Sequence, residues 1–214
     1  LGLTSDIEPN DDPTWTTGKY GSGLKFLSEK AHVDFTAASL PVNTVSFWMN
    51  RSFADNIGND SFVFFFRNSS NETTHFYYVA STDTWRARVI LNGQQNIISV
   101  PAATIPQNIW TYVTMVWDTG TADNFKLYVN DIQQGNTVTA INNWVGGAVN
   151  SAEIGTYTTN YYQGLLDHFV VYNYVRTPAQ MAWDMNRGTP VARYKFDECT
   201  GTTANNSAPT ATGA

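Results

Sequence analysis

The chain has 214 residues, of which 14% are charged, and a formal net charge of −6 at pH 7. Its length suits one β domain, because sandwiches and barrels run to about 200–250 residues as a single unit. The acidic balance and the lack of clustered Lys and Arg exclude nucleic acid as the main partner, and no apolar run approaches the roughly 18–20 residues of a membrane span.

The first third of the chain alternates turn signals with short apolar runs. Residues 1–18 are polar and rich in turn formers, which predicts a loop. Gly18–Phe26 brings three glycines into a strand, as expected where a backbone bends or packs closely. Val45–Asn50 alternates and predicts a central strand, whereas the continuously apolar Phe62–Phe66 predicts a strand covered on both faces.

Hairpin turns are predicted at Asn92-Gly93 and at Asn130-Asp131, since both dipeptides suit the positive φ angles of a type I′ turn. In Trp110–Trp117, alternate residues are expected to face opposite ways. The other predicted strands are His75–Val79, Trp85–Ile90, Phe125–Val129 and Leu165–Tyr172.

A helix start is predicted at Thr177, followed by Pro178 at the first helical position and Gln180 completing a capping box. Gly188 is expected to take the left-handed position after the helix. One short C-terminal helix among about a dozen strands predicts an all-β sandwich.

The order of these pieces resembles a known family. The pieces are GKYGSGLKF at 18–26, VSFW at 45–48, WTYVTMVW at 110–117, LYVN at 127–130 and GLLDHFVVY at 164–172. Residues 15–187 resemble the laminin-G-like members of the concanavalin A-like lectin/glucanase superfamily. The resemblance implies a jelly roll of two curved antiparallel sheets.

In the family, the first strand precedes the glycine-rich strand. In this chain the matching segment, YKFDECTG at 194–201, lies near the C-terminus instead. We therefore expect residues 1–188 to form a jelly roll that lacks its first strand. Residues 189–214 would hold the displaced strand, which completes this copy or a neighbouring one. The residues expected to dock in this way are Val191, Arg193, Tyr194 and Phe196.

Calcium is implied by the same resemblance, because such modules often hold a structural ion between the first strand and a late strand. The matching positions are Asp197 and Asp167, with Asn206 where the family usually has Asp. Ca²⁺ takes about six to eight oxygen ligands. The alternative is that these carboxylates accept hydrogen bonds from turn amides.

Glycan binding would use aromatic rings for stacking and amides for hydroxyl groups. The candidates in predicted loops are Trp144, Tyr157, Tyr161 and Tyr162. The alternative is that these rings cover the open ends of the sandwich.

Enzymatic activity is not expected, because no Glu-x-Asp-x-x-Glu strand supplies the paired carboxyl groups of a retaining glycosidase. Two functions remain. The first is an extracellular or cell-surface structural subunit that assembles head to tail with copies of itself, by donation of the C-terminal strand, into a fibre or tandem array. The second is a stand-alone carbohydrate-binding module whose terminal strand folds back.

Overall fold

A computed structural model describes residues 13–26, 33–34, 43–55, 58–145 and 149–187 of the chain. The β-strands found there are β1 (Thr14–Thr17), β2 (Ser22–Phe26), β3 (Val33–Asp34), β4 (Thr44–Arg51), β5 (Ser61–Asn68), β6 (Thr73–Val79), β7 (Thr84–Leu91), β8 (Gln94–Pro101), β9 (Thr111–Asp118), β10 (Asn124–Val129), β11 (Ile132–Thr139), β12 (Val149–Ile154), β13 (Thr156–Tyr157), β14 (Asn160–Tyr161) and β15 (Gly164–Tyr172). The α-helix α1 spans Pro178–Asn186.

The strands form two sheets. One sheet has seven strands in the order β1-β2-β15-β4-β9-β10-β11, and β4 is its central strand, as predicted. The other has eight strands, with the path β13-β14-β5-β6-β7-β8 and with β12 paired to β3 and β5. Neighbouring strands are antiparallel, apart from the parallel pair of Tyr161 with Phe62. The predicted two-sheet antiparallel sandwich with one short helix is confirmed.

Both sheets contribute side chains to one hydrophobic core. The ring of Phe47 on β4 packs against Phe64 at 5.8 Å and against Phe76 at 5.7 Å between ring centroids. All three side chains are fully buried. Truncating one such phenylalanine to alanine typically costs about 3–5 kcal/mol, so these contacts across the sandwich contribute strongly to its stability.

The continuously apolar strand β5 is covered on both faces, as its sequence predicts. Phe64 and Phe66 belong to the main core, whereas Phe62 and Phe65 belong to a second buried cluster with Tyr77 and Val79. Strand β9 likewise divides its side chains in the predicted way. Its core residues are Val113, Met115 and Trp117.

The predicted hairpin turns are confirmed by their backbone angles. Asn92 and Gly93 have φ of 45° and 77°, and Asn130 and Asp131 have φ of 49° and 62°. Because these residue types tolerate positive φ, their positions determine where β7 turns into β8 and where β10 turns into β11.

Two local predictions were wrong. Within residues 1–18 the structure has a strand, β1, which pairs with β2. β1 is short and largely exposed, so its residues are mostly polar, and this composition looks like that of a loop. The second wrong prediction placed all three glycines of Gly18–Phe26 in a strand. Gly18 and Gly21 lie instead in the turn between β1 and β2, where the Gly18 amide donates to the Gly21 carbonyl at 2.8 Å.

The chain divides into two compact units at Arg176 and Thr177. In the second unit, Thr177 caps α1 and Gln180 completes the predicted capping box. The left-handed residue at the end of the helix is Arg187, with φ of 51°, whereas Gly188 was predicted for this role and lies outside the described residues. No helix in the described ranges has the length and apolar character needed to cross a membrane.

Candidate functional site

A polar cleft of about 590 Å³ opens where the end of β4 and the start of β5 approach the β13–β14 hairpin. This volume lies within the range of about 300–1,000 Å³ that is typical of ligand pockets. The lining residues are Phe53, Asn59, Asp60, Thr159, Asn160, Tyr161 and Gln163.

The hairpin is held against β5 by main-chain bonds, which positions one wall of the cleft. The amide of Tyr162 donates to the carbonyl of Gly155 at 2.7 Å, and the amide of Gly155 donates to the carbonyl of Val63 at 2.8 Å. Thr158 forms the turn with φ of 58°. Tyr161, which is half-buried, is thereby placed in the lining of the cleft.

The floor of the cleft depends on a buried arginine that holds the loop after β4. Arg51 Nε donates to the carbonyl of Ile105 at 2.6 Å, and Arg51 Nη1 donates to the carbonyl of Phe53 at 3.3 Å. Its Nη2 forms an ion pair with Asp55 at 2.6 Å. Phe53 is therefore held in one position beneath the polar lining.

The remaining polar groups come from chain segments that flank the strands. Asp60 immediately precedes β5, and its Oδ1 accepts a hydrogen bond from the amide of Ala80 at 3.0 Å. Gln163 is exposed just before β15, and its carbonyl accepts from the amide of Ser52 at 3.1 Å. The backbone on which each side chain stands is thus fixed, while the amide of Gln163 faces solvent.

The lining offers amide, hydroxyl and carboxylate groups beside aromatic rings. Amides can both donate to and accept from a ligand hydroxyl, because they carry both kinds of group. A tyrosine ring adds a large apolar surface with a polar tip. The arrangement suits a hydroxyl-rich ligand with one apolar face.

The four residues predicted to bind glycan do not form one site. Tyr161 lines the cleft. Tyr157 stacks on Phe65 with 3.8 Å between ring centroids, and it packs against the second aromatic cluster. Tyr162 is fully buried in the main core, and burial raises the pKa of its phenol. Tyr162 therefore has no accessible ring face to offer a sugar.

Trp144 lies near the opposite end of β5, where it packs partly buried against the core. The amide of its neighbour Val145 donates to the carboxylate of Glu72, which follows β5. Since Tyr161 pairs with Phe62 at the start of this eight-residue strand, roughly 20 Å of extended chain separates the two ends.

Of the predicted calcium ligands, the structure describes Asp167. Asp167 is 8% exposed, and its Oδ2 accepts a hydrogen bond from the amide of Tyr20 at 2.8 Å. Gly18 is packed so closely that a Cβ there would lie 2.7 Å from this oxygen. The described ranges contain no group of three or more His, Cys, Asp or Glu side chains placed to hold a metal. Asp197 and Asn206 lie outside those ranges, so calcium binding stays a prediction.

The predicted assembly strand, with Val191, Arg193, Tyr194 and Phe196, also lies outside the described residues. Among the residues that the structure describes, β1 is the outermost strand on its side of the seven-stranded sheet. Trp15 on this strand is 73% exposed.

Sequence reasoning missed most of the cleft. Asn59, Asp60 and Gln163 lie in short polar segments next to predicted strands, and such segments look the same whether they line a site or only face solvent. The available signal was that Thr159 and Asn160 lie between Tyr157 and Tyr161, two of the tyrosines predicted to bind glycan.

Comparison with known proteins agrees with the fold. A family profile for laminin G domains, described as the concanavalin A-like lectin/glucanases superfamily, matches residues 27–182. No curated protein sequence matches the chain significantly.

Solved structures with a similar fold include several binding domains. The binding domain of Paraclostridial Mosquitocidal Protein 1 has a TM-score of 0.64 and 13% identity, with 85% of this chain and 47% of that chain covered. This chain therefore spans about half the length of the toxin's domain.

Two further structures are closer in size to this chain. Domain 4 of AbnA, an extracellular GH43 arabinanase from Geobacillus stearothermophilus solved with arabinotriose, has a TM-score of 0.54 and 19% identity, with 80% of each chain covered. The CBM40 domain of the Ruminococcus gnavus IT-sialidase has a TM-score of 0.55 and 14% identity, with 75% of this chain and 94% of that chain covered. Likeness at these identities shows the fold alone.

Proposed function

The chain belongs to the concanavalin A-like lectin/glucanase superfamily, and we propose that it is a carbohydrate-binding module that holds a neutral oligosaccharide in the cleft beside Tyr161. The observation that carries the proposal is that Tyr161 and several amide-bearing residues line one cleft. Ligand sites in proteins commonly combine an apolar surface with a few well-placed polar groups.

The charge of the cleft favours a neutral ligand. Asp60 is the acid among the described lining residues, and none of those residues is Lys, Arg or His. A sugar hydroxyl can donate to the carboxylate of Asp60, whereas a ligand carboxylate would be repelled by it. The amides of Asn59, Asn160 and Gln163 are neutral and can accommodate hydroxyl groups in either hydrogen-bonding sense.

The same lining supports binding rather than hydrolysis. Glycoside hydrolysis generally uses two carboxyl groups, about 5–5.5 Å apart in retaining enzymes and about 6.5–9.5 Å apart in inverting ones. Among the lining residues that the structure describes, Asp60 has no second carboxyl group beside it. The comparisons point the same way, since the related structures are largely binding domains.

The names of two related structures support a saccharide as the ligand. The arabinanase domain was solved with arabinotriose, and the sialidase domain is a carbohydrate-binding module by name. The first belongs to an extracellular enzyme. We extend both features to this chain as part of the proposal, and expect it to act outside the cell on a glycan.

A glycan array followed by calorimetry with the best neutral ligand tests the proposal. Replacing Tyr161 by Ala should weaken binding by about tenfold or more, because a lost ring face is worth about 1.4 kcal/mol or more. Replacing Gln163 by Ala should weaken it less. Trp144→Ala, at the other end of β5, is the matched aromatic control and should bind as the unmodified chain does. An array without a ligand, or equal loss in Tyr161→Ala and Trp144→Ala, would contradict the proposal.

A second candidate function is head-to-tail assembly through the C-terminal strand. The observation that favours it is the exposed β1, because a strand at a sheet edge presents unpaired main-chain N–H and C=O groups to any added strand. Head-to-tail contacts of this kind propagate into filaments when they do not close. Light scattering on the chain with and without residues 190–214 tests this candidate. Deletion should abolish assembly, whereas a monomer in both cases would contradict it.

Calcium at Asp167 is a further part of this second candidate. If Asp197 of a donated strand shares the ion with Asp167, chelation should loosen the assembly. Assembly that is unchanged by a chelator would count against the metal link alone.

A further inference from the structure

The outer face of the eight-stranded sheet carries Arg67, Arg86 and Arg88, which we call the arginine face. On β7, Trp85 and Ala87 are buried in the main core. Since side chains alternate along a strand, Arg86 and Arg88 project from the opposite face. Arg67 is exposed near the end of β5.

The described residues leave the charges of Arg86 and Arg88 unneutralised. Arg88 Nη2 donates to Gln95 Oε1 at 2.8 Å, and Arg86 Nη2 donates to Thr82 Oγ1 at 3.4 Å. Both partners are neutral. The Nε groups of Arg86 and Arg88 are buried without an acceptor.

His75 and Glu153, the nearest titratable groups on this face, do not neutralise Arg86 and Arg88. The register aligns Arg88 with His75, then Phe65, then Glu153 on successive strands. Glu153 is therefore three strands from Arg88, or roughly 14 Å at the usual strand spacing. It lies diagonally beside Arg67, which pairs with Ser151 on the adjacent strand, so the positive charge without a nearby acid is that of Arg86 and Arg88. Burial, and next the charge of Arg88, lower the pKa of His75 to about 3. His75 is neutral at physiological pH, so it neither adds to nor cancels the field.

The spacing of the three guanidinium groups suits a ligand with repeated negative charges. Arg86 and Arg88 are two residues apart on one strand, so their Cα atoms are roughly 7 Å apart, and Arg67 lies diagonally at roughly 12 Å from Arg88. The planar guanidinium matches a carboxylate in a bidentate geometry. We propose that the arginine face binds an acidic oligosaccharide through its uronate carboxylates.

The neighbouring strand gives this ligand a suitable surface. Gln95, Ile97 and Ser99 on the same face of β8 are exposed, and they lie beside β7 in the register. Ile97, which is 38% exposed, offers an apolar patch to a sugar ring. Gln95 and Ser99 offer an amide and a hydroxyl to its hydroxyl groups.

This inference does not rest on the proposed function of the cleft. Among its described lining residues the cleft carries one acid and no cation, whereas Arg86 and Arg88 on the arginine face have neutral hydrogen-bond partners. The two surfaces would therefore select saccharides of different charge. The net charge of −6 repels polyanions at long range. Binding of an acidic oligosaccharide would therefore depend on local contacts with the arginine face.

Calorimetry with trigalacturonate on the full chain tests the inference, in low salt and at 0.15 M salt. We expect binding that weakens with salt, and at least tenfold loss in the double variant Arg86→Gln/Arg88→Gln. The double variant Lys25→Gln/Lys126→Gln changes the net charge equally on the other sheet and should bind within twofold of the unmodified chain. Maltotriose is the neutral control ligand and should not respond to the arginine changes.

A second variant pair keeps the test decisive if the glutamine pair does not fold. Arg86→Lys/Arg88→Lys retains both charges and loses the bidentate geometry. Its affinity should therefore lie between that of the unmodified chain and that of Arg86→Gln/Arg88→Gln. Equal loss in the arginine and lysine-control variants would show a net-charge effect and overturn the inference. So would tighter binding of a short single-stranded DNA than of trigalacturonate, or absence of binding by the folded chain.

Discussion

Arg51 and Asp55 form an ion pair of 2.6 Å across one turn of the loop that carries Phe53 into the cleft. Arg51 is 2% exposed and Asp55 is 41% exposed, so the pair joins a buried cation to a surface carboxylate. Arg51 also donates to the carbonyls of Ile105 and Phe53. One side chain thus connects the end of β4 to the floor of the proposed binding site.

Replacing Arg51 by Met should destabilise the chain by about 3 kcal/mol, because two buried carbonyls lose their donors. Asp55→Ala should cost less, about 2 kcal/mol, because the buried guanidinium loses its counter-ion but keeps both carbonyl acceptors. Urea denaturation measures both free energies of unfolding. Equal losses would mean that the ion pair, and not the hydrogen bonds to the loop, dominates.

Replacing Glu72 by Gln should destabilise the chain by about 2 kcal/mol. The carboxylate of Glu72 accepts from Asn68 Nδ2 and from the amides of Asn92 and Val145. Every one of these partners is a donor, so the new amide nitrogen would face another N–H group. Asp123→Asn makes the same change of charge at an exposed residue with φ of 43°. Its unfolding free energy should change by less than about 0.5 kcal/mol.

The stability of the chain should fall as the pH drops below the unfolded pKa of His75, about 6.5. The folded pKa of His75 is lowered to about 3, first by burial and then by Arg88. Between these two pKa values the unfolded state binds more protons than the folded state. The stabilising contribution of neutral His75 is therefore present above pH 6.5 and is lost towards pH 3. Between pH 7.5 and pH 5 the loss should be about 2 kcal/mol. Denaturant titrations of the unmodified chain and of His75→Gln measure it, and parallel pH curves would contradict the assignment.

Gly164→Ala should destabilise the chain by more than about 3 kcal/mol, because backbone and side chain both crowd the position. Gly164 has φ of 153°, and an added Cβ would clash with the carbonyl oxygen of Asn50 and lie 2.6 Å from Tyr162 Oη. Gly21 is the control, since it has φ of 75° and open space around it. Gly21→Ala should cost about 1 kcal/mol. Thermal unfolding compares the two, and similar midpoints would show that the backbone near Gly164 can relax.

Much of the fold was predictable because its signals are local. The alternation in β4 and β9, the apolar run of β5 and the Asn130-Asp131 turn each report a property of a few adjacent residues. The placement of the β13–β14 hairpin against β5 is not local, and its two-residue strands are too short to show a period.

The site was less predictable for a physical reason. A cleft is formed by residues that are distant in sequence, such as Phe53 and Gln163, and nothing in either segment indicates the other. Aromatic residues in a loop-like segment also divide by burial: Tyr161 reaches the cleft while its neighbour Tyr162 is fully buried. The pairing of Tyr161 with Phe62, which is not visible in the local sequence, determines that Tyr161 and not Tyr162 lines the cleft.

The most direct test of the central claim is amide chemical-shift mapping during titration with the neutral oligosaccharide that binds best on an array. The account predicts that the largest shifts fall on Asn59, Asp60 and residues 159–163, and that Tyr161→Ala removes them. Shifts centred on the loop of Trp144, or on no part of the cleft, would contradict it.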